Sequence, residues 1–522
     1  MTFLVRKLPK SITSKLIWRI DYKIPIPVER NLRLANIRTI MIVNRRPYSP
    51  RWIGSYNTQS YLHNSLYRFM KIYQKDNNFP SRAELSHKNR LKTNIEAMKM
   101  RFGKAFDFHP TTFHLPNEFF RFQKIWRDNA HPSYPDYSKL LWILKPTKLS
   151  CGVGIRLVHT WDQIPKMSSL VVQRYIHQPL LINENKFDIR LYVLVTSFEP
   201  LRVYVNKKCM VRFATNKYSL DPNTFDDLYV HLTNSSLNKY NRKYQVKEKA
   251  VSSNVPDHTI HKWSIEALWA NLRHMDINPD PIWEEICQVI VKTMMSVAHK
   301  IAPLVNTYCQ SPDQVHELWG LDILIDNKLK PWLIEVNSAP SMVSENLFDI
   351  RLKTVIIRDT YNLVGYPMPT AKQGSSTWGT RTSRFLTQPE KRKQERFEKQ
   401  TAQFTSFSRL FPLAKQVDHA ELIRYLTKPP KNGLKNQSQL RYYDILVRDF
   451  LTHFYCPPNE KSTIPGIKNS AIQFLEDYGK SQPEKNEETS ANASEEFREI
   501  KQGSELTMSE SANEADEGQT NS

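Results

Sequence analysis

Between residues 100 and 365 the chain alternates short apolar runs with longer amphipathic ones. "LLWILK" (140–145), "LVVQRYI" (170–176), "DIRLYVLVT" (188–196), "LRVYVN" (201–206), "LDILID" (321–326) and "WLIEVN" (332–337) are rich in β-branched and aromatic residues and read as strands. "HKWSIEALWANLRHM" (261–275) and "DPIWEEICQVIVKTMMSVAHKIA" (280–302) have helical spacing. The second opens with Asp280 at a cap position and Pro281 in the first turn. The pattern predicts an α/β (α+β) body. Residues 50–130 mix short apolar and basic stretches and read as a smaller leading domain. "GYPMPTAKQGSSTWGT" (365–380) reads as a linker, and "PEKRKQERFEKQTAQF" beyond it is compatible with a helix. Residues 481–522 have almost no large apolar side chain and are expected to be disordered. The expected divisions are 1–135, 136–369, 370–480 and 481–522.

Three polar residues interrupt the 320–340 pattern: Asp322 in one strand, Glu335 and Asn337 in the next. A two-residue turn at Asn327-Lys328 would set Asp322 opposite Leu333 and diagonal to Glu335. The three groups would then converge at the hairpin's open end. Two carboxylates that close repel unless a cation intervenes. Hard oxygen ligands suit Mg²⁺, which is held by few protein groups and by phosphates. The plainer alternative is a hairpin edge whose acids face water.

Charge and cysteine usage narrow the class. The formal charge is +22, and residues 481–522 hold eleven acids against three bases, so residues 1–480 carry +30. That balance calls for an acidic partner. Five scattered cysteines without a CxxC pair argue against zinc or a disulfide framework. No apolar run reaches the ~18 residues of a membrane span, and the amino terminus lacks a signal-peptide core. A soluble intracellular protein is expected. Glycine is scarce at 13 residues, which makes the Gly152-Val153-Gly154 turn in "KPTKLSCGVGI" (145–155) informative. Its lysine and backbone N–H groups could approach a phosphate. Lys186, Asp188 and Arg190 stand at the mouth of an apolar strand, where a solvated strand end competes with a nucleotide site. "HLTNSSLNK" (231–239) is by default a capped loop.

Taken in order, "KPTKLSCGVGI", "QRYIHQP", "KFDIRLYVLVTS", "VRFATNKYS", "HLTNSSLNK" and "ELWGLDILID…LKPWLIEVNSAPS" resemble the tubulin tyrosine ligase-like family, which is built on the ATP-grasp fold. The resemblance runs from about residue 51 to 369. It is nearest to the polyglutamylases, especially the beta-tubulin chain-initiating branch, to which "MRFGKAFDFHP" and "FSRLFPLAKQVDHAELIRYLTKPP" are also similar. It implies ATP and Mg²⁺ as cofactors. The nucleotide would be held by Lys145, Cys151, Gly152, Gln173, Arg174, Tyr175, Ile176, Lys186, Phe187, Asp188, Thr233 and Asn234. Asp322, Glu335 and Asn337 would bind the metal. Arg212, Ser235, Ser236, Lys262 and Lys353 would hold free L-glutamate. Lys145, Lys186, Arg212 and Glu335 would form the catalytic set. Cys151 stands where members usually have Arg, and Ser235 where they usually have Tyr.

The implied reaction joins glutamate to glutamate side chains in acidic tubulin tails through an acyl-phosphate. Tubulin, beta-tubulin foremost, and microtubules are the implied partners of a monomer in the cytoplasm and cytoskeleton, with cilium or basal body as a further location. Nucleic acid is not expected, since no recognition-motif or KH signature is present; nor is membrane insertion. The alternatives are a glycine ligase of the same family and a catalytically impaired, basic microtubule-binding protein. Nine Lys/Arg against three Glu in residues 381–415 suit a microtubule contact. Removal of residues 481–522 is expected to leave ligation unchanged. A marked rise in turnover by the truncated protein would instead make the acidic tail an inhibitor.

Overall fold

The computed structural model describes residues 17–20, 24–35, 37–41, 52–56, 67, 70, 74–129, 141–147, 152–166, 168–246, 260–366 and 388–411. Cys151 and the acidic tail lie outside these residues.

Among the described residues, three sheets organise the fold. A small parallel sheet has the order β2-β1-β3, from β1 (Ile17–Ile20), β2 (Arg38–Met41) and β3 (Trp52–Tyr56). An antiparallel sheet has the order β4-β7-β5-β6, from β4 (Thr112–Leu115), β5 (Trp142–Pro146), β6 (Arg156–Val158) and β7 (Leu170–Arg174). The large antiparallel sheet is built on β9 (Asn185–Phe198), the longest strand. β13 (Glu317–Ile325) pairs with one side of β9, and β14 (Pro331–Ser338) lies beyond it. The other side of β9 is shared by β11 (Met210–Phe213) near its start and β10 (Leu201–Asn206) near its end. β12 (Lys262–Ser264) adds to β11, and β8 (Leu181–Ile182) pairs with the first residues of β9. This is the mixed α/β body that the alternation predicts.

β9 is buried on both faces, which is why it reads as one apolar run rather than an alternating strand. Tyr192 and Leu194 pack in one core with Trp18 of β1 and with Ile356, Ile357 and Tyr361 of the helix Leu347–Val364. The helix Pro279–Tyr308 packs against β9 and β10. Its cap is Asn278, whose side chain accepts from Asp280 N, and Pro279 takes the first turn. The start signal therefore sits two residues before the expected position. Residues 262–264 are strand rather than helix, because Ser264 closes the extended segment by capping the helix Ile265–His274.

The expected linker and extension from 370 to 480 contain a segment of the same body. The helix Gln388–Ala402 leads to β15 (Phe407–Phe411), which pairs antiparallel with β10. Glu398 is fully buried. It pairs with Arg202 Nε at 3.0 Å and accepts from Tyr204 Oη at 2.8 Å and Thr196 Oγ1 at 2.9 Å. Phe397 lies on Gly365, where an added Cβ would meet its ring at 2.4 Å. Gly365 also has φ of +61°, so no larger residue replaces it without strain. A fully buried carboxylate on a helix that otherwise reads as solvated makes this helix part of the same body.

Glu398→Ala should strip Arg202 of one of its two carboxylates and lower stability by about 3 kcal/mol, with Glu398→Gln milder. Thermal unfolding measures this. An unchanged melting temperature in Glu398→Ala would mean that the helix is dispensable to the body.

Candidate active site

A cleft lies between the β4-β7-β5-β6 sheet and the β14-β13-β9 part of the large sheet. It holds about 850 Å³ of space, part of it open solvent at the mouth. Lys145 lines it from β5, Gln173 and Arg174 from β7, and Tyr175 and Ile176 from just after β7; Gly152 lies at the turn after β5. Lys186, Asp188, Asp322 and Glu335 line it from β9, β13 and β14, with Thr233 and Asn234 at one end. Gly152 and Gly154 have φ of +82° and +71°, a left-handed turn that glycine adopts without cost. Phe187 does not reach the cleft. The alternation that turns Lys186 and Asp188 toward it sends Phe187 into the core against Phe213, ring centroids 5.7 Å apart.

A row of charge crosses the large sheet. Lys262 is opposite Arg212, Arg212 opposite Asp188, Arg190 opposite Asp322, and Asp322 opposite Glu335. Arg212 binds both oxygens of Asp188 and reaches Asp322 Oδ2 at 3.0 Å. Arg190 grips Asp322 through Nε and through Nη2 at 2.9 Å. Burial pushes the Asp322 carboxyl up, but the Arg190 and Arg212 guanidiniums outweigh it and hold it well below the usual carboxylate range. Gly320 makes room for Arg190: an added Cβ would come within 2.9 Å of Pro340 Cβ and 3.4 Å of Arg190 Cδ.

The hairpin register differs from the expected one. Its turn is longer than two residues: Asp326 Oδ1 accepts from Lys328 N and Lys330 N, and Leu329 takes φ of +66°. A bulge after Asp322 then brings Glu335, rather than Leu333, opposite Asp322. Asn337 Nδ2 donates to Glu335 Oε1 at 3.0 Å. Two facing carboxylates and an amide suit a Mg²⁺ ion that takes its remaining ligands from phosphate and water. Among the described residues no group of three or more His, Cys, Asp or Glu side chains could hold a metal without such help.

Four lysines are buried here in two different ways. Lys145 donates to Gln173 Oε1 at 2.6 Å, and Lys186 to Tyr175 Oη at 2.8 Å. Burial pushes their ammonium groups down to about 8 and about 7. Lys262 and Lys353 instead converge on Asp349, at 3.0 Å and 3.7 Å. Two cations share that carboxylate, which leaves one net positive charge for an incoming acid. Ser235 and Ser236 begin the short helix Ser235–Asn238 that follows Asn234. Among the residues of the expected glutamate set, Arg212 is taken up by Asp188 and Asp322, whereas Lys262 and Lys353 meet at Asp349. Arg190, Asp349 and His231 were not among the expected site residues. The only signal for Arg190 was its place beside Asp188 at the strand mouth.

The family model for the tubulin-tyrosine ligase family matches residues 67–375, the span that carries the cleft and the charge row. The chain belongs to the tubulin-tyrosine ligase family. It is 37% identical over 369 residues to human tubulin monoglutamylase TTLL4, covering 70% of this chain and 29% of that protein. It is 35% identical over 333 residues to human tubulin polyglutamylase TTLL5, covering 63% and 24%. It is 32% identical over 365 residues to tubulin polyglutamylase ttll-4 of Caenorhabditis elegans, covering 70% and 57%. The chain thus spans less than a third of the two human relatives. No helix among the described residues is long and apolar enough to cross a membrane.

A polyanion in the cleft should draw protons onto Lys145 and Lys186. Nucleotide binding between about pH 7 and 8 should therefore take up protons, and at pH 6 it should take up almost none. Calorimetry in buffers of different ionisation enthalpy reads this directly. Proton release, or uptake undiminished in Lys186→Met, would contradict it.

Proposed function

We propose that this protein is an ATP-dependent carbon–nitrogen ligase of ATP-grasp architecture that joins L-glutamate to glutamate side chains in tubulin tails. The observation that carries the reading is the charge row ending at Asp322 and Glu335 in a cleft that also holds Lys145 and Lys186. Such a site suits phosphate transfer, in which positioning and charge neutralisation provide most of the acceleration. Lys145 and Lys186 would contact the phosphates, and Asp322, Glu335 and Asn337 would hold Mg²⁺, which would supply charge neutralisation there. An acceptor glutamate carboxylate attacks the γ-phosphorus, giving an acyl-phosphate and ADP. The amine of free glutamate then attacks the acyl carbon, loses its proton and expels phosphate.

The net charge left beside Lys262 and Lys353 suits the carboxylate of an amino acid. The +30 of residues 1–480 would draw in a densely acidic tail. The names of the relatives favour glutamate over glycine, and an initiating role fits the monoglutamylase among them; beta-tubulin is the acceptor that the sequence resemblance implies. The protein acts as a monomer on cytoplasmic microtubules. Arg396 and Lys399, three residues apart and both exposed on the helix Gln388–Ala402, form a contact for the microtubule surface. The deciding experiment incubates purified protein with tubulin, Mg-ATP and labelled glutamate or glycine, and reads tail masses. Glycine adducts, or no adduct, would reject the proposal.

Two substitutions follow. Glu335→Gln should reduce ligation on the order of 100-fold or more without loss of fold. Normal turnover by the folded variant would remove Glu335 from the metal site. Arg396→Glu with Lys399→Glu should weaken microtubule binding in a salt-dependent way and slow modification of assembled microtubules, while free tail peptides react as before. Equal slowing on both substrates would place these residues in support of the cleft.

A further inference from the structure

We infer that His231, acting through Tyr175, is a positioning residue that keeps the Lys186 amine protonated and aimed into the cleft. The inference rests on the nucleotide-site reading above and adds a residue to it.

The direction of the hydrogen bonds carries the argument. His231 Nε2 lies 3.1 Å from the carbonyl oxygen of Thr224, which can only accept, so Nε2 bears the hydrogen. Burial first, then the Lys186 charge, push the imidazole down to about 4 against the opposing Thr224 carbonyl and Asp227. The ring is therefore neutral at physiological pH and its Nδ1 is bare. Tyr175 Oη lies 3.0 Å from Nδ1 and donates its proton there. The tyrosine oxygen is left with lone pairs turned toward Lys186 Nζ at 2.8 Å. Tyr218 supports the same direction. Its hydroxyl proton goes to the carbonyl of His177 at 2.7 Å, so its oxygen can offer the neighbouring Tyr175 hydroxyl only a second acceptor.

An ammonium donates, whereas a neutral amine would offer its lone pair to a donor. Tyr175 presents Lys186 with an acceptor, so the chain of bonds selects the charged form. Two aromatic faces add to it, with Nζ 4.2 Å from the Tyr175 centroid and 6.0 Å from that of Tyr218. Burial and the Lys145 charge on β5 oppose protonation, and Asp188 on β9 favours it. A hydroxyl support differs from a carboxylate in one useful respect: it holds the charge without cancelling it, so the charge stays available to phosphate.

The test is the pH dependence of Mg-nucleotide affinity from pH 6 to 9, measured with ADP or a fluorescent ATP analogue. No tubulin is needed. His231→Phe, combined with Tyr218→Phe to remove the second acceptor, keeps the ring packing against Tyr175 and Phe225, each now about 5.8 Å from the histidine. Affinity should stay within about twofold of the wild type near pH 6 and be about tenfold weaker near pH 8, as expected if the lysine loses its proton about one pH unit earlier. His231→Asn, which retains an acceptor and a donor, should restore most of the profile. Tyr175→Phe, which deletes the acceptor itself, should shift it in the same direction and serves if the double variant does not fold. A loss by the same factor at every pH would make His231 merely structural and overturn the inference. Wild-type protein that binds no nucleotide would overturn it together with the reading of the cleft. Nucleotide binding without glutamate transfer would overturn the proposed reaction alone.

Discussion

Asp322 sits between two guanidiniums on one side and a second carboxylate on the other, and the ligand-binding half of the molecule depends on that arrangement. Burying four charges on three adjacent strands carries a large desolvation cost, which only near-complete pairing offsets. Arg190 and Arg212 balance Asp188 and Asp322, so this part of the row is neutral and fixed. Glu335 completes it without a guanidinium partner among the described residues. The row therefore leaves one anionic group at its cleft end. That asymmetry explains why an apolar hairpin carries three oxygen-bearing side chains. Two of them face inward to a charge network or a cation, and the third steadies Glu335.

The strands were legible because burial on both faces writes an apolar run that few other structures share. The charges within them were harder to read. An arginine at a strand mouth resembles a solvated end, and only the neighbouring strand shows that Arg190 faces Asp322. The hairpin register failed at the turn for a local reason. "DNKLK" contains no glycine, yet Leu329 takes the left-handed conformation because Asp326 caps two backbone N–H groups and ties the turn together. One miscounted turn moves every side chain on the partner strand. The bulge after Asp322 then restores the meeting of the two acids by a route that a regular hairpin lacks.

The carboxy-terminal segment was misjudged for a related reason. In "EKRKQERFEKQ" most side chains are charged, and composition favours a solvated helix. One glutamate and one phenylalanine decide its place. Glu398 enters the polar layer around Arg202, and Phe397 covers Gly365 at the end of the helix that bears Asp349 and Lys353. Ser406 donates to Asp359 of the same helix through N and Oγ. The segment thus joins β10 to the helix that bears Asp349 and Lys353. Sequence composition averages over such single contacts and so cannot show them.

The cleft separates two uses of buried lysine. Lys262 and Lys353 share Asp349, so their charge is largely spent within the protein, and the remainder suits one carboxylate. Lys145 and Lys186 rest on neutral oxygens, Gln173 Oε1 and Tyr175 Oη, which orient an ammonium but leave its field intact. A phosphate chain needs the second kind, because charge already cancelled cannot stabilise negative oxygen. Burial pulls both ammonium groups down, to about 8 and about 7, so part of their charge is lost above neutral pH in the empty cleft. A site built this way gains its full charge only when a polyanion arrives. Occupancy and protonation are then coupled, and the groups that orient Gln173 and Tyr175 matter as much as the lysines they support.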